Sequence, residues 1–106
     1  MTTAPGTREI VHVVLAEWAD TATAEVGTEA TRLVDEHLGR IDGVLSTTSG
    51  PSIGSEGQEG GFQWMLVVRF RDRDALDGYL PHPDHQVVAD HIGASAARVV
   101  VFDAEA

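Results

Sequence analysis

Seven consecutive residues, Tyr79-Leu80-Pro81-His82-Pro83-Asp84-His85, bring a phenol, two imidazoles and a carboxylate together. Such groups move protons without a metal or an organic cofactor. His82 and Pro83 read as a turn entering a helix, with His85 in that helix's first turn. The positive end of a helix disfavours imidazolium and so favours the neutral ring that a general base needs. His85 is therefore the candidate base, and Tyr79 the candidate to polarise a carbonyl or protonate a developing enolate. The bland alternative is a solvated corner. In it His85 fixes the helix by bonding to a neighbouring strand and Tyr79 is a half-buried aromatic with a satisfied hydroxyl.

Three further residues are candidate ligand contacts: His12, mid-strand among apolar residues; His82, which also suits a bond to the turn backbone beside Pro83; and Trp64. Trp64 belongs with Trp18, Phe62 and Phe70 to a set that could line an apolar pocket or fill an ordinary core. Asp84 reads as a cap on free helix N–H groups and stands outside the catalytic set. His82 and His85 are three apart, but zinc needs three or four convergent ligands, so neither a metal nor a cofactor is expected. Arg69, Arg71 and Arg73 suit a solvated strand end balanced by Asp72 and Asp74.

The 106 residues support one domain, with 8–106 as that domain and 1–7 as a disordered lead-in. The absence of cysteine removes disulfides, thiolate metal sites and thiol catalysis. The formal charge of −10, with every cation an Arg, repels phosphate, so nucleic acid and anionic membrane are poor partners. The N-terminus lacks the basic and apolar regions of a signal peptide, and a cytoplasmic setting is expected.

Alternation over Arg8–Trp18 sets Ile10, His12, Val14, Ala16 and Trp18 against Val11, Val13, Leu15 and Glu17, which predicts an interior strand covered on both sides. Helical spacing from Thr21 or Thr23 to Leu38 predicts an amphipathic helix stopping near Gly39. Asp42-Gly43 turns into a short strand, Val44–Ser49, and a glycine-rich acidic loop over 50–61 follows, mobile or a lid. A second strong strand spans Phe62–Phe70. A short helix capped by Asp72 or Asp74 runs to Leu80, and another starts at Pro83 and ends at Gly93 or the small residues after it. The last strand is Arg98–Asp103, apolar on both faces. The order is a split βαβ pattern of the ferredoxin-like α+β kind with a four-stranded antiparallel sheet. A sheet this small with one uncovered face calls for a partner chain.

From its first strand to its last the chain resembles the stress-responsive dimeric α/β-barrel (Dabb) domain family. The matching pieces are Ile10-Val11-His12-Val13-Val14-Leu15, Asp42-Gly43-Val44, the run from Phe70 to Leu80, His82-Pro83-Asp84-His85, and Val99-Val100-Val101-Phe102-Asp103. The resemblance implies a homodimer whose two sheets pack into a barrel, with a small-molecule pocket between sheet and helices in each subunit. The Tyr-x-x-His-Pro-x-His run is similar to that of the family's olivetolic acid cyclase-type polyketide cyclases, which close a linear polyketide by aldol condensation. That likeness implies Tyr79 and His85 as acid and base, with His82 and His12 at matching positions. Pro81, the acidic loop and the apolar pocket wall depart from that pattern and leave the substrate open.

Three functions compete. The first is a cofactor-independent cyclase or lyase acting on a polyketide-like β-carbonyl compound. The second is a non-catalytic, stress-related or ligand-binding dimer, and the third is a cofactor-free monooxygenase.

Overall fold

The structure is a computed structural model and describes residues 8–106, so the lead-in expected over 1–7 lies outside the described residues. Strand β1 spans Ile10–Trp18 and helix α1 Val26–His37, which tightens into a 3-10 turn at Leu38–Arg40. Strands β2 (Val44–Pro51) and β3 (Trp64–Phe70) follow, then helices α2 (Arg73–Tyr79) and α3 (Pro83–Ser95), and strand β4 (Ala96–Glu105). The sheet order is β2-β3-β1-β4 and every neighbouring pair is antiparallel. This is the ferredoxin-like α+β arrangement that the element order implies.

Side-chain alternation decides which face is core. Ile10, His12, Val14 and Ala16 lie opposite Phe70, Val68, Leu66 and Trp64 in the β1–β3 register, and all eight are buried. Val34 and Leu38 behind α1, Leu76 and Tyr79 of α2, and Val88 and Ile92 of α3 cover them. The helices occupy one face only. Val11, Val13 and Leu15 on the other face are half-buried, so the expectation that β1 is covered on both sides does not hold within one chain. β4, expected to be apolar on both faces, is exposed along almost its whole length, with Phe102 67% exposed.

Several boundaries move for local reasons. α1 starts at Val26, not at Thr21 or Thr23, because Thr23 offers its backbone carbonyl to Val26 N–H and no side chain caps the helix. β3 starts at Trp64 because Gly60 and Gly61, both at positive φ, turn the chain just before it. Phe62 then packs against the Arg98 guanidinium at 4.1 Å instead of joining the strand. β2 continues to Pro51, shortening the loop. Asp72 caps α2 by accepting from Ala75 N–H at 2.8 Å. Gly43 is a required glycine: φ is +88° and a Cβ there would lie 2.3 Å from that of Ala75. Among the described residues no helix is long and apolar enough to cross a membrane.

Candidate functional site

Beside α3, the helix-facing side of β4 is incompletely covered and leaves a cleft of about 270 Å³. Its walls include His12, Tyr79, Leu80, His85, Val99 and Val101. This volume lies just below the usual range of about 300–1,000 Å³ for ligand pockets. Each polar wall residue comes from a different element: His12 from the middle of β1, Tyr79 from the end of α2 and His85 from the first turn of α3. Residues far apart in the chain therefore converge only through the sheet register and the tight α2–α3 turn.

His85 is half-buried, and its Nδ1 lies 2.8 Å from the Leu80 carbonyl oxygen. A carbonyl only accepts, so Nδ1 carries the hydrogen and Nε2 is left as the lone-pair nitrogen. Desolvation lowers the His85 pKa and outweighs the opposing Leu80 bond, with smaller effects from His12, which lowers it, and Asp90, which raises it. The ring is therefore neutral at pH 7. Its bond runs to the end of α2, not across to a strand as the bland reading of the sequence had it.

The Tyr79 ring lies 4.4 Å from that of His85, centroid to centroid, and packs edge-on against Phe70 at 4.7 Å. Among the described residues its hydroxyl has no hydrogen-bond partner, yet it is not a sealed, unsatisfied group. Tyr79 lines the cleft. Burial, with the Asp103 carboxylate as a smaller cause, pushes the phenol well above its ordinary value, so Tyr79 is a neutral O–H donor at physiological pH.

Among the described residues His12 is the buried polar residue of the core, 4% exposed, with its ring 5.7 Å from that of Tyr79. Its Nδ1 lies 2.5 Å from Asp103 Oδ1. Because the carboxylate accepts, Nδ1–H donates. A carboxylate that holds an imidazole in one tautomer is a recurrent orienting device. Asp103 is the residue that reading the sequence missed. It shares the face of Val99 and Val101 on β4, but only the β1–β4 register places it opposite His12.

The other candidates stand elsewhere. His82 does not line this cleft: it caps α3, its Nδ1 accepting from Asp84 N–H at 3.0 Å. Asp84, expected to act as the cap, sits one position inside the helix start behind Pro83, and His82 holds the cap position. It accepts instead from His37 at the end of α1, Nδ1 to Oδ1 2.8 Å, which lowers its pKa. Trp64 is buried, its Nε1–H donating to Thr31 Oγ1 at 3.1 Å, and it borders a separate, more polar hollow with Trp18 and Gln63. The 52–63 loop walls a third hollow with Leu15, Phe62 and Met65 and does not cover His85.

A family model described as the stress-responsive A/B barrel domain matches residues 10–106. The chain belongs to this family. The match takes in all four strands and every residue of the cleft. No curated protein matches the sequence. Among solved structures, the barrel domain is similar to a dimeric ferredoxin-like protein of unknown function from Thermobifida fusca YX, with a TM-score of 0.85 and 20% identity over 99% of this chain and 97% of that one. A dimeric ferredoxin-like protein of unknown function from Jannaschia sp. CCS1 has a TM-score of 0.82 and 24% identity over 92% and 99% of the two chains. The hydroxynitrile lyase of Passiflora edulis has a TM-score of 0.83 and 12% identity over 94% of each chain. At these identities the likeness is one of fold, and one fold hosts many chemistries.

Proposed function

We propose that this A/B barrel protein is a cofactor-independent cyclase or lyase that acts by general acid–base catalysis on a polyketide-like β-carbonyl small molecule. The observation that carries the reading is the neutral His85 ring, fixed by Leu80 as the Nδ1–H tautomer and set 4.4 Å from Tyr79 in a largely apolar cleft. His85 Nε2 takes the acidic proton from the carbon between two carbonyls, and the enolate oxygen accepts a hydrogen bond from the Tyr79 hydroxyl. In the cyclase sense that carbon bonds to a second carbonyl of the same molecule. The new alkoxide takes the Tyr79 proton, and the His85 imidazolium restores it. In the lyase sense a carbon–carbon bond breaks by the reverse path. Asp103 acts through His12, and the apolar walls at Leu80, Val99 and Val101 favour a hydrophobic substrate.

The same reading makes the protein a homodimer in the cytoplasm. Among the described residues Val11, Val13, Leu15, Met65, Val67, Val100 and Phe102 form an apolar sheet face that no helix covers, with the 52–63 loop beside Leu15 and Met65, and a second sheet of the same kind buries it. Mass-spectrometric metabolite profiling of the native host carrying wild type, Tyr79→Phe or His85→Ala tests the chemistry, with each variant first checked for folding and dimer formation. Loss of one product, with a linear or spontaneously rearranged compound in its place, supports the proposal. An unchanged profile from folded variants transfers the assignment to a non-catalytic ligand-binding or stress-related dimer.

A further inference from the structure

His82 is a titratable side chain in a position that only an acceptor can fill. Its backbone leaves the helix at φ −68° and ψ 137°, and its Nδ1 accepts from Asp84 N–H at 3.0 Å. Imidazole accepts only through an unprotonated nitrogen, so the cap exists while His82 is neutral with its hydrogen on Nε2; imidazolium has no acceptor at all. The same residue ties the site together through its backbone, donating to the Tyr79 carbonyl at 3.0 Å and accepting from Gln86 N–H at 3.0 Å. The first turn that it caps holds His85, whose Nδ1–H shares the Leu80 carbonyl with Gln86 Nε2–H.

We propose that His82 is a proton-operated latch on the first turn of α3: neutral, it caps the turn and holds His85 against Leu80 and Tyr79; protonated, it releases the turn. One force opposes release. Asp84 Oδ2 stands 3.8 Å from His82 Nδ1 and attracts an imidazolium. That carboxylate is already bonded to His37 at 2.8 Å and also feels Arg40, both from the end of α1. The imidazolium therefore gains a long, shared contact at a partly exposed site and loses the cap outright. Exposed ion pairs contribute less than a cap, so release prevails. His82 is thus a positioning residue. Its bearing on chemistry rests on the acid–base role proposed for His85, whereas the latch itself rests on the cap geometry.

The test is amide hydrogen exchange of the first turn of α3 at pH 5 and pH 8, corrected for intrinsic rates and referenced to α1, in wild type and His82→Asn. Asparagine is a strong cap whose oxygen accepts at both pH values. Wild type is expected to lose about fivefold more protection at pH 5 than the Asn variant, the scale of one lost cap, since His85 titrates alike in both. No acid loss in wild type, or an equal loss in both proteins, overturns the latch. Nitrogen NMR of wild type at pH 8 supplies an independent check, since a hydrogen on His82 Nδ1 would refute it without any variant. Neither readout uses turnover, so the latch and the catalytic reading can fail separately.

Discussion

Asp103→Ala leaves a buried imidazole N–H without its acceptor, and the structure sets the size of the loss. His12 is 4% exposed and its 2.5 Å bond to Asp103 is the one polar contact of its Nδ1 among the described residues. Stranding a buried donor costs about 1–3 kcal/mol. The Asp103 side chain is 40% exposed, so water entering from the β4 edge recovers part of this, and ~1–2 kcal/mol remains. For a domain of 106 residues the unfolding entropy at the midpoint is about 220 cal/mol/K, which converts the loss into a Tm lowered by about 5–9 °C. Asp103→Asn keeps an oxygen acceptor and should lose roughly half as much. Differential scanning calorimetry of the three proteins at pH 7.5 reads the outcome. A Tm for Asp103→Ala within about 1 °C of wild type would show that the Asp103–His12 pair contributes nothing, and the orienting role given to Asp103 would go with it.

Other expectations follow from the same geometry. In kcat/KM the free enzyme should lose activity as pH falls through a His85 pKa below the ordinary imidazole value. It should show no alkaline limb from Tyr79 up to pH 10, since burial raises the phenol; an acid midpoint at or above about 6.5 contradicts this assignment. The sign for stability agrees: with a lowered folded-state pKa, His85 makes the unfolded chain bind the proton first, so stability drops as pH falls below about 6.5. Gly43→Ala must adopt φ +88° with its Cβ 2.3 Å from that of Ala75, so denaturant unfolding should show a loss above about 2 kcal/mol, and a loss under about 0.5 kcal/mol would refute the turn geometry. Phe102→Asp puts a carboxylate on the uncovered sheet face and should yield monomers in sedimentation equilibrium at micromolar concentration; an intact dimer moves the interface elsewhere.

Strand β1, an α2 cap at Asp72 or Asp74, the Asp42-Gly43 turn and the His82-Pro83 helix start were legible in the sequence because each rests on local physics. Period-2 alternation, a short side chain reaching its own backbone and the fixed φ of proline need no partner from elsewhere in the chain. The same local logic placed His85 in a helical first turn and Tyr79 shortly before it, and the order of elements was enough to imply a ferredoxin-like α+β sheet. Asp103 escaped because its role depends on pairing across 91 residues, and no periodicity in Arg98–Asp103 states which residue of β1 stands opposite. The bond of His82 to the turn backbone was legible, but the departure of Asp84 from the capping role escaped for a related reason: the His37 side chain brought in by α1 draws it away. Tertiary structure alone decided that Tyr79, His85 and His12 share one cleft while Trp64 borders another. It also decided that one face of an almost wholly apolar β1 lies open. Sequence pattern fixes the direction in which a side chain leaves its strand or helix; what meets it there is set by register and by which elements cover the sheet.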